Sequence, residues 1–224
     1  MTAQRALFVG GCPATYHRLE PAIPPVRETL ESIGLTVDVS GVYHPDGGET
    51  FVGDYSLLKQ PFLDEYQVVV LFSTGIETRG ADIAALQAWV ERGGALIGIH
   101  CATDSFTDNP DWVAFIGGKF RTHPSQLDIA LSVVDPTHPA MAGTEPFTVH
   151  DELYLFSEYD PKQVHLLAET DSFDDNGAVP LAWTREPGEG RLFYLSLGHN
   201  PSTMEDANWQ RLFASGTSWA LKRS

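Results

Sequence analysis

The stretch Gly93-Gly94-Ala95-Leu96-Ile97-Gly98-Ile99-His100-Cys101-Ala102-Thr103-Asp104 decides the fold. Ala95 to Ile99 is small or apolar throughout and stands between a double glycine and a histidine. That is the pattern of a short strand covered on both faces. Just upstream, Ile83, Leu86 and Val90 recur at helical spacing, and Gly93-Gly94 ends that helix. Further upstream, Gln67 to Phe72 is β-branched and almost continuously apolar, a second buried strand. Arg5 to Val9 is a third, stopped by the tight turn at Gly10-Gly11. Between them, Val26, Leu30 and Ile33 mark a helix capped by Gly34, and Leu35 to Val39 alternates as a strand does. The resulting β-α-β-α-β rhythm calls for a mainly parallel, doubly wound α/β sheet with crossover helices.

Downstream the character changes. Leu127 to Val134, Val164 to Ala168, Val179 to Thr184 and Arg191 to Leu197 read as strands. They are separated by turns such as Asp175-Asn176-Gly177 and Pro187-Gly188-Glu189-Gly190, with little helix between them. Some antiparallel strands are therefore expected in the C-terminal half. Glu205 to Leu221, with Trp209, Leu212, Phe213 and Trp219, predicts an amphipathic helix against the sheet. No linker, repeat or low-complexity tract interrupts residues 1–224, which read as a single domain.

Composition narrows the function classes. With 42% hydrophobic residues the 224-residue chain can bury a substantial core without covalent staples. A formal charge of −16 argues against nucleic-acid or anionic-membrane partners, because phosphate contacts need clustered Lys and Arg. Two cysteines, Cys12 and Cys101, make neither a disulfide framework nor a zinc knuckle. With no signal-peptide pattern and no long apolar run, the cytoplasm is the expected location.

In open α/β sheets ligands bind beyond the carboxyl ends of the parallel strands. That rule gathers Gly10-Gly11-Cys12 with Tyr16-His17, Ser73-Thr74-Gly75, and His100 to Asp104 at one edge. Small residues flank His100, namely Gly98 before it and Ala102 after it. A strand that stops so abruptly resembles a nucleophile elbow, with histidine in the presenting position. Imidazole suits general acid–base work or metal ligation near neutral pH. A histidine simply hydrogen-bonded at a strand end is the competing reading. His199 follows Gly198 at another strand end, and His123 stands in Gly117-Gly118-Lys119-Phe120-Arg121-Thr122-His123-Pro124. The carboxylate pair Asp151-Glu152 heads the apolar run Leu153-Tyr154. His138 reads as a turn residue before Pro139, and His44, His150 and His165 carry no special context. None of these spacings is a compact metal motif.

The segments Gly93 to Phe106, Ile116 to Phe120 with His123-Pro124, and His138-Pro139 with Asp151 to Tyr154 carry a resemblance. So do Trp183-Thr184, Gly190 to Tyr194 and Leu197-Gly198-His199, with Trp219-Ala220 closing the chain. Together they resemble the ThuA-like (trehalose-utilisation) family, whose fold is similar to that of class I glutamine amidotransferases. The amidotransferase elbow carries a catalytic Cys. Here His100 takes that place, Cys101 comes one residue later, and no Cys-His-Glu triad is evident, so glutamine hydrolysis is not expected. Tyr16-His17 stands where relatives often have a His-Asp pair, which leaves the role of His17 open.

The resemblance implies sugar catabolism on a disaccharide, glycoside or keto-sugar by a hydrolase, lyase or isomerase, or else a non-catalytic sugar- or partner-binding domain. For an enzyme, His100, Asp104, His199 and Glu152 are the candidate catalytic groups, with Asp104 expected to orient His100. Gly11, His17, Arg121, His123, Asp151 and Tyr154 are the candidate substrate contacts, with Trp112 or Tyr154 offering an apolar face to a sugar ring. His100 and His199 are candidate ligands for a divalent metal, zinc or manganese. The expected partner is a small sugar, with self-association as a homo-oligomer left open.

Overall fold

The computed structural model describes residues 4–12, 14, 16–41, 55–75, 82–170, 173–174 and 177–223. His44 and the turn residues Asp175 and Asn176 lie outside them. In chain order the first half gives β1 (Gln4–Gly11), α1 (Leu19–Ser32), β2 (Leu35–Gly41), β3 (Val68–Ser73), α2 (Ile83–Glu91) and β4 (Ala95–Ile99). A 3-10 turn, His100–Asp104, leads into α3 (Pro110–Ile116) and β5 (Lys119–Thr122). Then come β6 (Leu127–Val133), β7 (Phe147–Asp151), β8 (Leu155–Ser157), β9 (His165–Thr170), β10 (Pro180–Arg185) and β11 (Arg191–Leu195). Two helices close the chain, α4 (Pro201–Met204) and α5 (Ala207–Ala220).

Nine strands form one sheet in the order β2-β1-β3-β4-β11-β10-β9-β6-β7. From β2 to β11 every neighbouring pair is parallel. From β11 to β7 every pair is antiparallel. The parallel part has the 2-1-3-4-5 order of flavodoxin-like folds, with β11 as its fifth strand. The expected mixed, doubly wound α/β sheet is therefore what the chain builds. β5 and β8 pair separately as a small antiparallel ribbon.

The strand period of two divides the core. Phe8, Val70, Ile97 and Phe193 pack on one face with Val26 and Leu30 of α1 and Trp209, Leu212 and Phe213 of α5. The alternate residues Leu7, Val69, Leu96 and Tyr194 pack on the other with Leu86 and Val90 of α2 and Trp112 and Ile116 of α3. Each large apolar side chain so buried contributes roughly 1.5–3 kcal/mol.

Some elements depart from the sequence reading. The C-terminal helix starts at Ala207 rather than Glu205, because the Asp206 side chain accepts from the N–H groups of Asn208 and Trp209 and caps it there. β5, β7, β8, α3 and α4 were not expected. α3 had a readable signature in Asn109 as N-cap, Pro110 in its first turn and Gly117 after its end. β7 likewise alternates buried and exposed residues along Phe147–Asp151.

Candidate functional site

Register places the first element of the site. β4 and β11 are parallel with Ile99 opposite Leu195, so His100 and Ser196, one residue on, are neighbours. The His100 Nδ1 lies 2.8 Å from the Ser196 carbonyl oxygen. A carbonyl can only accept, so Nδ1 carries the proton and Nε2 presents a bare lone pair. The backbone turns abruptly here, with His100 at φ +43°, in the left-handed region that costs a non-glycine residue roughly 1–2 kcal/mol. The Tyr194 hydroxyl fixes the turn by donating to the His100 carbonyl at 2.7 Å. Gly98 is required: a Cβ there would lie 2.9 Å from the Tyr194 ring and 3.2 Å from the Ala102 methyl. The strand break and the small neighbours thus make the elbow that the sequence suggested, and it presents His100.

Two further histidines converge on this one. His17, in the loop after β1, also has positive φ (+51°). Its Nδ1 pairs with the Thr74 hydroxyl after β3 at 3.0 Å, and its Nε2 lies 3.3 Å from the Tyr154 hydroxyl. His199 follows β11. The three imidazole rings form a near-equilateral triangle, with centroids 5.0, 5.0 and 5.3 Å apart and planes crossing at 76°, 76° and 77°. Glu152 completes the group: its Oε2 lies 3.0 Å from His199 Nδ1 and 3.5 Å from His100 Nε2. His123, on the open side, is 3.7 Å from the same oxygen.

Asp151 explains how Glu152 and His199 are held. Its buried carboxylate accepts from the backbone N–H groups of Gly198 (2.7 Å), His199 (3.0 Å), Asn200 (3.3 Å) and Glu152 (2.8 Å). One anion thereby ties the end of β7 to the loop after β11.

Burial sets the electrostatics. His17 is pushed down to about 2, chiefly by desolvation and then by the neighbouring His100 and His199, so it is a neutral imidazole at neutral pH. At Glu152 burial works to raise the pKa, but His100 and His199 overrule it and hold the carboxyl below its usual range. Burial pushes the Tyr154 phenol far up, so it stays a hydrogen-bond donor. Burial also raises the Cys101 thiol, which is fully enclosed and far from a thiolate nucleophile.

A cavity of about 370 Å³ opens onto this group, lined by Tyr16, His17, Asp104, Phe120, His123, Glu152, Tyr154 and His199. The other candidates are distributed as follows. Asp104 is on the wall, but the place at His100 Nδ1 belongs to the Ser196 carbonyl. Arg121 is exposed and lines a separate depression with Phe156 and Tyr159. The Gly11 carbonyl accepts from the Ser73 and Tyr55 hydroxyls. Asp151 faces backbone rather than the cavity, and Trp112, on the buried face of α3, is enclosed in the core. Tyr16, which the sequence reading brought to this edge without a role, and Phe120, which it did not single out, complete the wall. Phe120 sits 4.2 Å, centroid to centroid, from the Tyr154 ring.

The donor atoms of His17, His100, Glu152 and His199 all lie within 4.8 Å of one another. Such a group can shuttle protons, bind polar substrate atoms or hold a cation.

Residues 5–220 match the ThuA family model, described as trehalose utilisation, and the chain belongs to that family. Among solved structures it is similar to a ThuA-like protein from Parabacteroides merdae, with 22% identity, TM-score 0.78, and 98% of this chain and 90% of that one covered. A ThuA-like protein from Bacteroides uniformis follows at 21% identity and TM-score 0.75, covering 98% and 93%. PurLQS from Thermotoga maritima, at 14% identity and TM-score 0.57 with 97% and 99% covered, shares the fold. A search of the curated proteins finds no match.

Proposed function

We propose, from its place in the ThuA family, that this protein acts in sugar catabolism on a disaccharide, glycoside or keto-sugar. The observation that carries the reading is the convergence of three imidazoles and one carboxylate at the floor of a cavity with aromatic walls. Tyr154 and Phe120 offer faces on which the C–H side of a sugar ring packs. His123 and Asp104 stand on the wall where hydroxyls need partners.

The chemistry suited to these groups is acid–base. A keto group on the ring acidifies the adjacent C–H. A base takes that proton and the electron pair passes to the carbonyl oxygen as an enolate. Its return either reprotonates carbon, giving isomerisation, or expels the glycosidic oxygen from the next carbon, giving elimination. His100, His199, Glu152 and Asp104 supply the proton-transfer and polarising groups, and the Tyr154 hydroxyl donates to the developing oxyanion. Cys101 has no part, since its buried thiol cannot reach a substrate.

The test is solvent-deuterium exchange and product formation with a keto-disaccharide, such as oxidised trehalose, followed by NMR. The expected result is exchange or cleavage that survives Cys101→Ala and is lost in His100→Ala. Tight sugar binding without exchange or turnover would favour a non-catalytic sugar-binding domain instead. Activity lost on Cys101→Ala would return the site to thiol chemistry.

A further inference from the structure

We infer that His17, His100, His199 and Glu152 form a site for one divalent transition-metal ion, of the zinc or manganese class, with an open position facing the cavity. For its chemical role this rests on the proposed sugar chemistry; for its existence it rests on geometry alone.

Three independent features support it. The first is the triangle: three imidazoles with near-equal separations and near-equal crossing angles surround one point, and a carboxylate closes the fourth side. Ligand atoms ~2.1 Å from a common ion lie no more than ~4.2 Å apart. The observed limit of 4.8 Å exceeds even that opposed-ligand distance by ~0.6 Å, so the side chains would close further on the ion to reach the ~3.4 Å of a tetrahedral set.

The second is the unpartnered ring nitrogens. His100 is fully buried, yet its Nε2 makes no hydrogen bond, and neither does His199 Nδ1. Both lie near Glu152 Oε2 but off hydrogen-bonding geometry. A buried polar atom left in that state costs ~1–3 kcal/mol, a penalty that an ion at the centre would remove.

The third is the outer support. His100 gives its other nitrogen to the Ser196 carbonyl, His17 pairs its Nδ1 with Thr74, and Asp151 anchors the backbone of both His199 and Glu152. Metal-ligating imidazoles are held in this way, with the second nitrogen fixing tautomer and orientation. The surface histidine–carboxylate pairs have no such arrangement.

The donor set also selects the ion. Three neutral nitrogens and one carboxylate oxygen suit zinc, manganese or iron(II), while calcium and magnesium require oxygen cages. Three neutral imidazoles, one carboxylate and a divalent ion leave one net positive charge facing the cavity. That charge would polarise a bound carbonyl, and with His100, His199 and Glu152 taken up as ligands the proton-transfer role given to them above would pass to the wall groups Asp104 and His123.

The test is metal content and re-binding on the full chain. Protein purified without chelator is analysed for metals, stripped, and dialysed against zinc, manganese or calcium, with thermal melts at each stage. The expected result is one equivalent of zinc or manganese, a lower Tm on stripping, recovery on reloading, and no response to calcium. Glu152→Gln and His199→Ala, each verified as folded by circular dichroism, should weaken binding by more than the ~10–100-fold that loss of an outer partner costs. His165→Ala should leave it unchanged. Folded wild-type protein that takes up neither ion, or binding untouched by both variants, overturns the site. Metal-loaded protein inert toward keto-sugars would sink the sugar reading and leave the metal standing. Metal-free protein that turns them over would do the reverse.

Discussion

This chain sets histidine against carboxylate twice over, with opposite results. On the surface, His150 pairs with Asp128 at 2.8 Å and His165 with Asp135 at 2.9 Å, three of the four side chains being more than half exposed. At the strand ends, His100 and His199 approach Glu152 at 3.5 and 3.0 Å with His100 wholly enclosed. The distances are similar and the consequences are not. Water screens the surface pairs, which are worth ~0–1 kcal/mol each. In the interior His100 and His199 instead hold the Glu152 carboxyl below its usual range, against the opposing effect of burial. Proximity of unlike residues is common; enclosure is what turns it into chemistry.

The sharpest way to break the comparison is to exchange histidines between its two sides. His199→Ala should lower turnover of a keto-sugar ~10²–10⁴-fold, the usual reach of a positioned acid–base group. His165→Ala should leave the rate as it was. Equal losses in a steady-state assay would erase the distinction between the two sets.

Next in size is stability. Asp151→Asn keeps the volume but turns an amide N–H toward backbone donors, and should cost ~1–3 kcal/mol in urea unfolding. Asp128→Asn on the surface should change the midpoint by no more than ~0.5 kcal/mol. A neutral Asp151→Asn would mean that the tie between β7 and the loop after β11 holds nothing.

The smallest effect is in the pH profile. His138, packed on the Trp219 and His165 rings, titrates below 6.5, first through burial and then through the nearby His165. A depressed histidine binds its proton more readily unfolded. Its contribution is therefore complete above pH 6.5 and is lost as pH falls below it. The Asp135 carboxyl is held at about 2, first by the Thr137 hydroxyl and then by His165. Its contribution is present above the ordinary value of 3.8 and fades as pH drops toward 2. NMR titration should show Thr137→Ala raising the Asp135 pKa and Glu152 unaffected. A shift at Glu152 would join the two regions that the structure keeps apart.

Much of this was legible in the chain. Continuous apolar runs bounded by glycine located β1, β3, β4 and β11, since a strand buried on both faces has few other compositions. Gly98 and Ala102 around His100 announced a turn too tight for larger side chains, and φ +43° at His100 is what that turn demands. Apolar runs between glycine-rich turns also located β6, β9 and β10 in the second half, whereas the short strands β5, β7 and β8 went unread. What stayed hidden was which polar residues meet. Nothing near His17 in sequence suggests that its ring faces Tyr154, 137 residues away. Nor does Asp151, one position before Glu152, show that it grips backbone while its neighbour faces the cavity.

The sequence by itself determined the buried parallel strands and the elbow at His100, because period, glycine placement and side-chain volume act within a few residues. Tertiary structure alone decided that His17, His100, Glu152 and His199 surround one point. That depends on β1, β4 and β11 ending at one edge and on Asp151 binding the loop after β11, and pairing across so many residues leaves no periodic trace in the chain.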